Sequence, residues 1–211
     1  MTKAIWGVGL RRAAAVGLMF ASVSCGDQTR QGTASSYLII TSLEAAAGVD
    51  PSAFGATLSS DVLTVKDDVA TFFSDPARVQ FSLGLKDPGP STSPSTPTQN
   101  NFITVNRYHV RYTRSDGRNT EGVDVPYAFD GAFTVTVSGD TTAGFILVRN
   151  QAKEEAPLKA LACGTRGLCG GNPVIISTIA EVTFYGHDQT GREVSVVGNI
   201  GVTFADFGDP K

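Results

Sequence analysis

Histidine and cysteine are scarce in this chain, and each shortage narrows what it can do. Its 211 residues include two histidines, His109 and His187, and three cysteines. A histidine-based triad or a zinc site would need long-range convergence that nothing in the sequence predicts. The chain also lacks G-x-S-x-G, a Walker A loop, H-E-x-x-H, and G-x-G-x-x-G in a strand–helix–strand setting. No heptad is sustained and no period of about 20–50 residues recurs. With 20 acidic residues some carboxylate pair is always available, so that feature does not discriminate. These absences set the expectation that the protein is not an enzyme, with no catalytic residue, no metal ligand and no cofactor.

A long apolar run is missing as well. The longest near the start, Ala13 to Val23, falls short of the roughly 20 residues a spanning helix needs. Its surroundings give it another meaning. Lys3, Arg11 and Arg12 form a positive start, Ala13–Ala21 an apolar middle, and Ser22-Val23-Ser24 a small-residue exit before Cys25. Those are the three parts of a secretory signal. With the cysteine at the exit, Met1–Cys25 resembles a bacterial lipoprotein signal. The resemblance implies cleavage after Ser24, a lipid on Cys25 and a membrane held through it. Gly26 after the cysteine implies, by the same resemblance, the outer membrane. Ser22 departs from the usual leucine, which keeps ordinary cleavage and a secreted soluble product as the alternative.

Residues 25–36 follow as a polar stretch without periodicity, GDQTRQGTASS after the cysteine. As a coil it spans roughly 20 Å, a flexible tether between membrane and domain. The formal charge of −3 includes the leader's three cations; without them 14 basic face 20 acidic residues, a balance of −6. An acidic surface argues against nucleic acid as a partner. Three cysteines leave one over in an oxidising compartment. Cys163 and Cys169, in CGTRGLC, suit one local disulfide, which would leave Cys25 for lipid; two free thiols in a loop are the alternative.

The remainder, residues 37–207, reads as one β-rich domain. Tyr37–Leu43, Asp61–Val65, Val69–Phe73 and Val79–Leu85 have strand composition, and Lys66-Asp67-Asp68 breaks the middle pair. Glu44–Ser59 reads as a loop, with one helical turn after Asp50-Pro51. Pro88–Thr98 is proline-rich and must be a loop. In Phe102–Arg114, Tyr108, Val110 and Tyr112 face one way and His109, Arg111 and Thr113 the other, which places His109 on the polar face. Phe133–Val137 and Phe145–Val148 flank Ser138-Gly139-Asp140, the expected hairpin connection. Glu154–Ala162 could form a short helix limited by Pro157. The run VIISTIAEVTFY, the turn His187–Gly191 and the return from Arg192 to Phe204 form the strongest hairpin, with Gly198 and Gly201 read as a bulge or bend.

Many short strands and almost no helix predict an all-β fold, a β-sandwich preceded by a signal peptide (1–24) and a tether. The strand order resembles an immunoglobulin-like or fibronectin-like domain. The buried tryptophan of that core is missing, since Trp6 lies in the leader. The stretches SYLIITSLEAAAG, NNFITVNRYHVRYTR and TIAEVTFYGHDQTGREV resemble small, uncharacterised bacterial lipoproteins with such a domain. That likeness brings no activity. The expected role is non-enzymatic binding or structure in the cell envelope, with an envelope protein or glycan as partner. The alternative is a calcium- or carbohydrate-binding module, in which Asp116, Asp124, Asp130, Asp140, Asp188, Asp206 and Asp209 converge at loop ends.

Overall fold

Alternation of apolar and polar residues at period two carries most of the chain into strands. The computed structural model describes residues 33–162 and 175–207. Within them lie β1 (Ser36–Ala45), β2 (Thr57–Asp61), β3 (Thr64–Lys66), β4 (Val69–Thr71), β5 (Asp75–Leu85), β6 (Ile103–Thr113), β7 (Phe129–Val137), β8 (Thr141–Val148), β9 (Ile176–Asp188) and β10 (Glu193–Ala205). One short helix, α1 (Asn150–Glu154), and two 3-10 turns, Gln99–Asn101 and Leu158–Leu161, complete the described elements. The leader, Cys25, Cys163, Cys169 and Asp209 lie outside the described residues.

The strands form two main sheets, one of order β1-β5-β8 and one of order β2-β10-β9-β6-β7, beside a small β3-β4 hairpin. The inner faces of the two sheets bury one core, so the expected all-β, sandwich-like architecture is present. The β3-β4 turn uses Asp67 and Asp68, both at positive φ (51° and 61°). Two consecutive left-handed residues match the right-handed twist of a tight hairpin, and aspartate tolerates them better than most side chains.

Aromatic rings fill the centre. Phe81 of β5 meets Phe184 of β9 edge-on, with centroids 5.1 Å apart. Tyr108 of β6 lies 5.1 Å from Phe145 of β8. Gly131, paired with Tyr108, makes room for that ring, because a Cβ there would stand 2.1 Å from Tyr108 Cζ. The inward tyrosines also tie the sheets by hydrogen bonds. Tyr112 Oη donates to the Leu147 carbonyl at 2.6 Å, and the Ile146 amide donates to Tyr108 Oη at 3.3 Å. Burial pushes the Tyr112 phenol far up, so it stays a donor at any working pH.

Five sequence expectations change. Ser138-Gly139-Asp140 joins strands of different sheets: β7 pairs with β6 and β8 with β5, so the turn is a crossover between layers. Glu44–Ser59 holds the start of β2, which lies parallel to β10 from Thr57 to Asp61. In β2, TLSSD, leucine is the sole large apolar residue, so the pattern is faint. Gly198 and Gly201 do not interrupt β10, whose pairing with β9 runs without a slip from Glu193 to Phe204. Instead Gly198 gives space to β1, since a Cβ there would be 2.9 Å from Ile40 Cδ1. The expected helix over Glu154–Ala162 is divided, with α1 ending at Glu154 and a 3-10 turn following Pro157. No helix forms after Asp50-Pro51.

Candidate functional site

A broad open depression of about 1160 Å³ lies at the end of the sandwich where β1 enters. Its floor and walls come from the first residues of β1, from Lys86 after β5, from the middle of β6, and from the β9-β10 hairpin. A β-bulge in β6 shapes it. The register slips against both neighbours between Val105 and Arg107: Asn106 is an extra residue relative to β9, whereas in the pairing with β7 the extra residue lies on β7. Alternation is lost there, and Asn106 and Arg107 are both exposed. Arg107 then lies over the ring of its β9 partner Tyr185, with Cζ 4.3 Å from the centroid. Across the depression Lys86 Nζ stands 5.1 Å from the Tyr37 centroid.

Two further features mark the lining. Ser36 Oγ is buried and has no hydrogen-bond partner, the kind of group an occupant can satisfy. His187 Nδ1 lies 3.1 Å from the Asp188 carbonyl, which can only accept, so Nδ1 is the donor of that bond. The hairpin carrying Glu193 and Ser195 is held by Asp188. Its Oδ1 accepts from Thr190 N (2.8 Å), Thr190 Oγ1 (2.6 Å) and Arg192 N (2.9 Å). Burial favours the acid form of Asp188, but these hydrogen bonds prevail and hold it below the usual carboxylate range.

The residues singled out in the sequence do not gather. His109 faces outward, 3.2 Å from Asp130 across the β6-β7 pair, and is paired with Thr183 of β9, whereas His187 pairs with Thr104. Asp116 binds Arg114 and Arg118, which bring its carboxyl down to about 2. Asp124 Oδ2 caps the Thr120 amide at 3.2 Å. Among the described residues no group of three or more His, Cys, Asp or Glu side chains could hold a metal ion. Nor is any described helix long and apolar enough to cross a membrane.

A second polar cluster, unannounced by any sequence pattern, is buried at the opposite end. Lys153 of α1 and Asp75 at the start of β5 are 1% and 0% exposed, with Nζ 2.9 Å from Oδ1. Nζ also donates to the Asp61 carbonyl at 2.7 Å. Ser60 Oγ donates to Asp75 Oδ2 at 2.5 Å, and the Gly48 amide to Oδ1 at 2.8 Å. Burial pushes Asp75 up and Lys153 down, and in both cases outweighs the pull of the opposite charge. A lysine after Ala152 in a polar-looking NQAKE gives no hint that it points into the core.

Fold and site together define an all-β sandwich with a polar and aromatic depression at its entry end. No family model, curated protein or solved structure matches the chain.

Proposed function

We propose that this chain is an exported cell-envelope protein, held at the outer membrane by lipid on Cys25, with a non-enzymatic binding or structural role. The carrying observation is the place of the depression. Ala34, Ser36, Tyr37 and Leu38 line it, so the residues that lead out of the tether also form one wall of the site. An occupant would therefore sit at the tethered end of the domain, close to the envelope. The kinship with immunoglobulin-like or fibronectin-like domains belongs to the same proposal.

The chemistry of the walls favours a glycan or an extended peptide. Rings at Tyr37 and Tyr185 supply flat apolar contact, and Asn106, Arg107, Glu193 and Ser195 supply donors and acceptors around them. This is also the observation that favours the carbohydrate-binding reading.

Two measurements test the proposal. In fractionated cells the wild type is expected with the membrane, and Cys25→Ala in the soluble fraction; equal membrane retention of the variant sinks the lipid anchor. For the site, Tyr185→Ala is expected to lower the yield of envelope cross-links about tenfold, as loss of an aromatic anchor does. Unchanged cross-links in a folded Tyr185→Ala protein would remove the depression from the interaction.

A further inference from the structure

We propose that Lys153 and Asp75 join covalently, forming an isopeptide bond between Nζ and Cγ inside the folded core. The inference stands apart from the proposed envelope role and uses none of the depression. Four features of the cluster carry it. First, amine and carboxyl are in direct contact, 2.9 Å between Nζ and Oδ1, with both side chains sealed from solvent. Fixing two reactants in this way replaces an encounter in solution by an intramolecular step and raises the effective concentration by orders of magnitude. Second, the site disfavours charge. Desolvation of the two groups exceeds their mutual attraction, so the neutral amine and the neutral acid, the two reactive forms, gain weight.

Third, the partners are arranged for acyl transfer. The Gly48 amide donates to Oδ1 and can stabilise negative charge on that oxygen when Cγ becomes tetrahedral. The Asp61 carbonyl accepts one N–H of Lys153 and so orients the amine. Ser60 Oγ, on Oδ2, is placed to pass a proton to the departing oxygen. Fourth, both side chains are sealed from bulk solvent, so once the released water escapes through local opening no solvent reaches the amide to hydrolyse it.

The step balances without any further reactant. The Nζ lone pair attacks Cγ of the protonated Asp75 carboxyl and a C–N bond forms. The C–Oδ2 bond breaks, Oδ2 leaves with its own proton and one passed by Ser60 Oγ, which Nζ replaces as it becomes the amide N–H, and one water is released. Nothing is oxidised or reduced. The product is a neutral amide that retains the Gly48 hydrogen bond, and it clamps the start of β5 to the helix after β8, across 78 positions of sequence.

The test uses the mature protein isolated from the cells that make it, reduced, denatured and digested with trypsin. The expected result is a branched peptide joining Asp67–Arg78 to Asn150–Lys159, one water lighter than the two together, with no cleavage after Lys153. Asp75→Ala should restore that cleavage. Recovery of the wild-type segments only as separate, full-mass peptides overturns the proposal, and this reading needs no variant to fold.

Discussion

Replacing Lys153 by methionine is expected to lower the stability of the domain by at least about 3–5 kcal/mol, the usual cost of breaking a buried pair by removing one partner. The reason is what remains. Asp75 stays fully buried, with Ser60 and the Gly48 amide as its hydrogen-bond donors and no cation to balance it. Its burial, the largest influence on it, holds the native carboxyl above its ordinary 3.8, and loss of Lys153 removes a counteracting charge. The native variant therefore binds its proton more tightly than the unfolded chain does. The sign follows: stability is greatest below the unfolded value and falls as pH rises through the native one. Urea unfolding at a series of pH values should show a deficit that is largest at neutral pH and shrinks in acid. A deficit that grows toward acid would contradict the argument.

The double replacement Lys153→Met with Asp75→Leu separates pairing from bonding. Apolar residues in place of a mere ion pair leave stability near that of the wild type or raise it. An amide between the two positions would instead close a long loop in the unfolded chain, a constraint of about 4–5 kcal/mol at this separation. The double variant is accordingly expected to remain less stable than the wild type by about that amount. Equal stability of the two proteins would leave only the ion pair.

The contrast between what was legible and what was not has a physical basis. β9 and the second half of β6 are readable because they alternate strictly: Tyr108, Val110 and Tyr112 are buried as their spacing implies, and so are Ala180, Val182 and Phe184. β2 was missed because a parallel partner, β10, supplies the pairing that its own sequence does not advertise. Sheet assignment failed at Ser138–Asp140 because a turn that closes a hairpin and a turn that crosses between layers use the same residues. The depression depends on the one-residue slip at Asn106, and register slips leave no mark in composition. The Lys153–Asp75 cluster rests on contacts 78 positions apart, with both residues of types that normally stay at the surface. The cysteines, on which the reading of the leader turns, lie outside the described residues.

Phe184→Ala is expected to be the most damaging single truncation in the core, at about 5 kcal/mol, the upper end for removing a buried phenylalanine. Phe184 is 0% exposed and sits where both sheets meet. Its ring is edge-on to Phe81 at 5.1 Å and to Phe145 at 5.3 Å, both from the three-stranded sheet. It also meets Phe133 at 6.2 Å and Tyr108 at 6.4 Å from its own sheet. Each such contact contributes about 0.5–1.5 kcal/mol beyond the area it buries. The cavity cannot collapse easily, because the surrounding rings are themselves fixed: Tyr108 Oη accepts from the Ile146 amide, and Gly131 leaves its ring no slack. For a domain of this size the melting temperature should fall on the order of 10–20 °C. Phe184→Leu, which keeps most of the volume but no ring edge, should lose roughly half as much. Phe133→Ala, at a partly buried position, should lose less than Phe184→Ala. Equilibrium unfolding in urea gives the test, with the midpoint moving and the slope unchanged. Equal losses at Phe133 and Phe184 would show that the two sheets are not held chiefly through the Phe184 ring.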